Sequence, residues 1–337
     1  MIVDSCIDQR SESNPVLGYL DSIGVDAKHS VKLVVASHAH DDHIAGLSQI
    51  VERCEDAAFI CSAALTKNQF FALLEADEEI SALTKQSAYS EFRRINEILS
   101  LRASGRKRWP AYNWAIADRP LYTRPSDDVK AGVLVTSLSP SDESVTRSLE
   151  FFDSLMPTSG EQPRRVAITD PNTLTCVLWV EVGKVRLLLG GDLLRGPGGG
   201  CGWNAILSSP FRPKLPASAF KVPHHGAPNA HHQDVWAQML DDNALAVLTP
   251  FRRLKEPRPT DADQRRICAI TDAAYITADP RRPNPAAKVK RMAADLSNSV
   301  HRIHEEGRAG HIRARFHESS STWKVELADP ARPLCRA

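Results

Sequence analysis

Residues 38 to 43 read His-Ala-His-Asp-Asp-His, directly after the apolar run Val31-Lys32-Leu33-Val34-Val35-Ala36-Ser37. No other feature constrains the fold as much. The run is short, rich in Val and bounded by polar residues, as a buried strand is. The histidines and aspartates therefore leave the end of a rigid strand and enter a loop. Three histidines and two aspartates in six residues are expensive to bury unless a cation binds them. A single histidine is ordinarily a surface or satisfied core residue, but that explanation fails for this string.

Two further apolar strands end in potential ligands. Leu187-Leu188-Leu189 runs into Gly190-Gly191-Asp192, and Ala219-Phe220-Lys221-Val222 runs into Pro223-His224-His225-Gly226. Functional groups gathered at strand ends are how α/β folds build sites. On an extended segment His38 and His40 point the same way, and Asp42 and His43 can serve a second ion. A carboxylate such as Asp192 can bridge two cations, with His224 or His225 closing the second position. Such a cluster suits two divalent ions about 3.5–4 Å apart, the separation of two-metal hydrolases.

The rest of the chain sets the frame. At 337 residues, with 42% apolar and 25% charged residues, it suits a soluble globular protein. No apolar run approaches the length of a membrane span, and Met1 to Cys6 does not read as a signal peptide. Seven cysteines without a C-x-x-C pair predict reduced thiols in a cytosol-like compartment rather than a disulfide framework. The net charge is +1, yet residues 93–130 carry nine Lys/Arg against four Asp/Glu and residues 252–315 fifteen against eight. Charge set out this way makes a basic rim or a solvated surface.

The order of elements is β-α-β-α at the start. A strand end at Ile2-Val3, a helix from Pro15 to Gly24, the strand at 31–36, a helix near 44–53 and a strand at 57–61 imply parallel strands. Residues 64–101 have helical spacing and are followed by a loop with Trp109, Pro110, Tyr112, Trp114 and Pro120. Residues 64–130 thus look like an insertion into a single domain covering 1–337. A strand at Val133–Val135, a helix from Ser141 to about Met156, a hairpin turning at Gly183, strands at 245–248 and 275–277, and the pair 311–316 and 323–327 complete the expectation.

Weaker features receive modest readings. Gly190 to Gly202 lacks the G-K-[ST] ending of a phosphate loop and reads as a connector. His231-His232 open a helix and should face solvent, as should His301 and His304. Arg106-Lys107-Arg108-Trp109 with Tyr112 and Trp114 suit either a grip on a single strand or the packing of an insertion.

The string at 38–43 matches the H-x-H-x-D-H motif, and the chain resembles the metallo-β-lactamase-fold hydrolases. Gly190-Gly191-Asp192 looks like that family's bridging aspartate. Lys221-Val222-Pro223-His224-His225-Gly226 resembles the K-x-P-H-H-G-S segment of the branch related to the ComEC/Rec2 nuclease domain, and Pro171 to Thr175 resembles the stretch before its hairpin. The resemblance implies an αββα sandwich. It implies His38 and His40 on a first metal, Asp42, His43 and one of His224 or His225 on a second, and Asp192 between them, with His224 favoured as the first residue past the strand and His225 then either supporting a ligand from behind or contacting the substrate. The ions implied are two Zn²⁺ or Mn²⁺. No histidine lies between His43 and His224, so Asn172 or Asp170 stands nearest the place of a further first-metal histidine, and an oxygen ligand there favours Mn²⁺. Two strands usual before Ile2 are absent, so a partner or an upstream segment is expected to complete that edge. The usual Ser after His-His-Gly is Ala227.

The reaction expected from these residues is phosphodiester cleavage on DNA or RNA, with Lys221 against a phosphate. The alternatives are a small-molecule hydrolase (cyclic nucleotide phosphodiesterase, lactonase or thioesterase) and a weakly active metal-bound interaction module that needs a partner.

Overall fold

The computed structural model describes residues 1–8, 13–67, 70, 88–105, 113–155, 171–252, 256–281 and 310–335. They form two compact units, Met1–Leu215 and Pro216–Ala337.

The first unit holds two sheets. Strands β1 (Ile2–Val3), β2 (Leu33–Val35), β3 (Ala58–Ser62) and β4 (Asn113–Ala115) lie in that order, all parallel. Strands β5 (Arg119–Arg124), β6 (Val133–Ser137), β7 (Leu178–Val182) and β8 (Val185–Leu189) form an antiparallel meander. Alternation along β2 and β3 explains the layering. Leu33, Val35 and Ile60 pack on Val135, Leu178 and Val180 of the second sheet. Val34, Phe59 and Cys61 face the opposite way, onto Ile44, Leu47, Ile50, Phe92 and Ile95 of the helices. A strand buried on both faces has to be apolar throughout, which is why the run before His38 has no polar alternation. Helix, sheet and sheet thus stack as the expected sandwich requires.

Local chemistry sets the element ends. Asn14 caps the helix Pro15–Ser22 by accepting from the amides of Val16 and Leu17, and Pro15 takes the first helical position. Ser141 accepts from the Ser144 amide at the start of helix Asp142–Leu155. Gly183, at φ 58°, turns the β7–β8 hairpin. The single helix expected near 44–53 is two, Asp41–Ile44 and Leu47–Arg53, separated at Gly46 with φ 74°. That left-handed conformation favours glycine, and a Cβ there would also push on the Ile7 side chain, 2.3 Å from its Cδ1.

In the second unit β9 (Ala217–Lys221), β10 (Leu240–Leu248) and β11 (Ala274–Ile276) are parallel. Trp236 of helix Gln233–Met239 meets Phe220 of β9 edge-on at 5.0 Å. Strands β12 (His311–His317) and β13 (Thr322–Ala328) form the expected hairpin, and β14 (Arg332–Pro333) runs antiparallel to β11.

Three expectations need correction. Trp114 and Pro120 lie in β4 and β5, strands of the two sheets, not in a loop. Strand β10 starts at Leu240 instead of Leu245, with an irregular register between the two. Cys268 and Cys335 form a disulfide across 67 residues, so the cysteines are not all reduced thiols. The odd total concealed one pair brought together only by the fold. Most of the helical insertion at 68–87, the aromatic cluster at 106–112, Asp170, His301 and His304 lie outside the described residues. Among the described residues, no helix is long and apolar enough to cross a membrane.

Candidate metal centre

Strand β2 delivers its residues into the interior. Val35 and Ala36 are fully buried, and so is His38. The chain then turns into the one-turn helix Asp41–Ile44, which puts Asp41 and Asp42 in its first turn and His43, also buried, at its end. Asp192 reaches the same place from β8. Gly191 precedes it at φ 49°, and a Cβ on Gly191 would stand 2.4 Å from Thr175 Cγ2. The turn therefore presses against Thr175 and leaves Asp192 2% exposed.

These side chains converge. His38 Nε2 lies 3.0 Å from His40 Nδ1. The two oxygens of Asp192 face different histidines: Oδ2 is 3.9 Å from His38 Nε2, and Oδ1 is 3.4 Å from His43 Nε2. Asp42 Oδ2 stands 3.8 Å from His43 Nε2. His38, His40 and Asp192 form one potential ligand group with donor atoms within 4.8 Å of one another, and Asp42 and His43 stand beside it.

Asp4 organises this cluster and was missed from the sequence. At φ 60° it follows β1 and accepts from the Ser37 amide at 2.6 Å and from Ser37 Oγ at 2.7 Å. Its Oδ2 also lies 2.7 Å from His43 Nδ1. A carboxylate on the far nitrogen of an imidazole fixes the ring and leaves Nε2 for a metal. Ser37 Oγ in turn lies 3.0 Å from His38 Nδ1. The signal available in the sequence was the one that marked the other three positions, a short apolar strand ending in a ligand-type residue.

The electrostatics separate the histidines. Burial, reinforced by neighbouring His43, holds His38 well below the usual imidazole range, and burial also lowers His40 against the pull of Asp42. Both rings are thus biased toward the neutral form, the one whose nitrogen lone pairs can ligate a metal. Burial opposes charge on His43 too, but Asp4 and Asp192 raise it to about 10. Without a metal, then, His43 carries the proton that balances these carboxylates, and a cation would replace that proton.

Asn172 belongs to the 3₁₀ turn Pro171–Leu174. The chain beyond that turn lies against Ser37, whose carbonyl accepts from the Cys176 amide at 2.7 Å. The Asn172 side chain is buried, and among the described residues its Oδ1 has no hydrogen-bond partner. A buried carbonyl oxygen left so is costly unless something electropositive reaches it. Imidazoles, carboxylates and this oxygen are the donor set of a divalent ion, so the residues fit a metal.

In the second unit, His224, His225 and Gly226 are all left-handed, at φ 47°, 54° and 78°. For the two histidines that conformation costs about 1–2 kcal/mol each. His225 is 5% exposed and His224 more open. His225 Nδ1 lies 3.1 Å from the Thr249 carbonyl oxygen, and the ring stacks on Phe251 at 5.0 Å. The carbonyl can only accept, so Nδ1 carries the proton and Nε2 is the nitrogen whose lone pair could ligate a metal. Lys221 Nζ donates to the Val222 carbonyl at 3.1 Å. His232 does not simply face solvent: it caps helix Gln233–Met239, its Nδ1 accepting from the Asp234 amide at 3.2 Å.

Residues 20–250 match the family model of the Metallo-beta-lactamase superfamily. The chain belongs to that superfamily. No curated protein matches it. Family membership and the buried His/Asp groups together indicate a metal-dependent hydrolase.

Proposed function

We propose that the protein is a metal-dependent phosphodiesterase acting on DNA or RNA through two divalent ions, Zn²⁺ or Mn²⁺. The observation that carries the metal reading is the Asp192 carboxylate, buried with one oxygen toward His38 and the other toward His43. In this proposal His38, His40 and the Asn172 oxygen would hold the first ion. On the family resemblance, Asp42 and His43 would hold the second with one histidine of the His224-His225 pair, and Asp192 would serve both. His225 is preferred to His224 because its ring is buried and its Nδ1 is already engaged by Thr249. When bound, the ions supply an activated water and the positive charge that an attacked phosphodiester requires.

The protein's own groups do the rest. Asp4 and Ser37 keep the His43 and His38 rings in register. Lys221, whose ammonium donates to the Val222 carbonyl, would turn to a phosphate oxygen of the substrate. His224, the more open of the pair, would meet the substrate. Likeness to the Lys-to-Gly segment of the ComEC-related branch and the basic stretches at 93–130 and 252–315 favour nucleic acid over a small ester. A cytoplasmic location belongs to the same proposal, and its check is whether cell fractionation recovers the protein with the cytosolic markers.

The test is cleavage of DNA, RNA, cyclic nucleotides and small esters by the full chain with Mn²⁺, Zn²⁺ or Mg²⁺ after metal analysis. Cleavage of nucleic acid that stops with EDTA and in Asp192→Ala is expected, with binding that weakens steeply as salt rises. Turnover confined to a small ester, without salt dependence, would replace the substrate. Activity persisting in EDTA would overturn the mechanism, and inactivity with every metal and substrate would favour an interaction module.

A further inference from the structure

A buried carboxylate remote in sequence from every ligand candidate holds the His224-His225-Gly226 turn from two sides. Asp263 lies on helix Asp261–Cys268 and is 1% exposed. Its Oδ1 meets Arg266 Nη2 at 2.9 Å, and its Oδ2 meets Arg258 Nη1 at 2.7 Å. Each arginine then leads to the turn by a separate route. Arg266 Nη2 donates to the Gly226 carbonyl at 2.6 Å, gripping the left-handed backbone itself. Arg258 exchanges both backbone hydrogen bonds with Phe251, at 2.9 and 2.8 Å, and Phe251 is the ring on which His225 stacks.

A helix cap explains part of this. Asp263 accepts from the Thr260 amide and hydroxyl at 2.9 and 2.8 Å, closing a capping box. A capping box needs a carboxylate or amide at that position and nothing more. It requires neither burial nor two guanidinium partners, and it gives no reason for one guanidinium to continue to the carbonyl of a strained turn. Two routes converging on one histidine from one carboxylate are what a ring-orienting network needs.

We propose that Asp263, through Arg266 and Arg258, is a positioning residue that sets the orientation of His225. The proposal rests on the reading of His225 as a metal ligand only for its functional consequence. The orientation itself is measurable without metal.

The experiment compares the full-length wild type with Arg266→Met, Arg266→Lys and Asp263→Asn. Long-range ¹H–¹⁵N spectra of the metal-free imidazoles are recorded, with the His225 signals assigned through His225→Gln. Mn²⁺ is then titrated calorimetrically, and thermal unfolding is followed in parallel. The wild type should show His225 protonated at Nδ1 and two Mn²⁺ sites. Arg266→Met should scramble that tautomer signature and weaken one site about 10–100-fold, the range for lost outer-sphere partners. Arg266→Lys, which can still donate to the Gly226 carbonyl, should recover most of both. An unchanged His225 signature and affinities within about twofold of wild type, even with a lowered melting temperature, would reduce Asp263 to a helix cap and overturn the proposal. A wild type that binds no Mn²⁺ would sink the metal reading alone, since the metal-free spectra still decide the orientation. Should Asp263→Asn fail to fold, the Arg266 pair carries both measurements.

Discussion

Three donors converge on the carboxylate of Asp4: the Ser37 amide, the Ser37 hydroxyl and His43 Nδ1. Replacing Asp4 with alanine leaves the His43 ring without its anchor. Metal affinity should fall about 10–100-fold, read by calorimetric titration, with the fold kept by circular dichroism. Gly191→Ala acts differently. It forces an L side chain into φ 49° with Thr175 Cγ2 in the way, so it should lower stability by about 1–2 kcal/mol or more and displace Asp192. Denaturant titration measures the first effect and metal binding the second. Most of the candidate ligands were legible as residues because His38, His40, Asp42 and His43 fall in six consecutive positions and Asp192 and His225 follow apolar runs. Asp4 carried the same signal in its weakest form, since an aspartate after only two apolar residues does not stand out until Ser37 and His43 are folded against it. The burial of His225 was equally hidden, because two successive left-handed residues reverse the expectation that the first histidine past a strand is the better fixed.

At the scale of elements, the central strands were legible for a physical reason. Strands β2 and β3 are covered on both faces, so their apolar runs are unbroken. Strand β5 is an edge strand with an irregular register between Pro120 and Tyr122, the setting in which a strand tolerates proline. Proline there imitates a turn, and the sequence around it reads as a loop. Helix Asp261–Cys268 carries its own pH dependence. Burial opposes the charge on Asp263, but the Thr260 amide, Arg258, the Thr260 hydroxyl and Arg266 together hold its carboxyl below the usual carboxylate range. The unfolded chain therefore takes up this proton at higher pH than the folded one. The stabilisation is fully present above the ordinary aspartate value and is lost as pH falls through the depressed one. Urea midpoints should drop with acid across that interval in the wild type, and Asp263→Asn should show a shallower slope there.

The whole molecule should be held together partly by what it binds. A divalent ion at a hundred times its dissociation constant adds about 2.7 kcal/mol to stability, so Mn²⁺ or Zn²⁺ should raise the melting temperature and EDTA should return it to the metal-free value. No change in melting temperature on adding metal would contradict a preformed centre. Net charge, at +1, predicts little at this scale, since the basic stretches are offset elsewhere in the chain. The bond between Cys268 and Cys335 has a consequence of a different kind. It converts the last part of the second unit from a tail into a closed ring that contains β11, the β12–β13 hairpin and β14. A single backbone nick anywhere inside that ring divides the polypeptide without dividing the molecule. Protease-cut protein should migrate as one species on a non-reducing gel and as two once a thiol reductant is added. Connectivity there no longer depends on an unbroken main chain, so the ring is a place where new chain ends can be opened while both pieces stay in one covalent body.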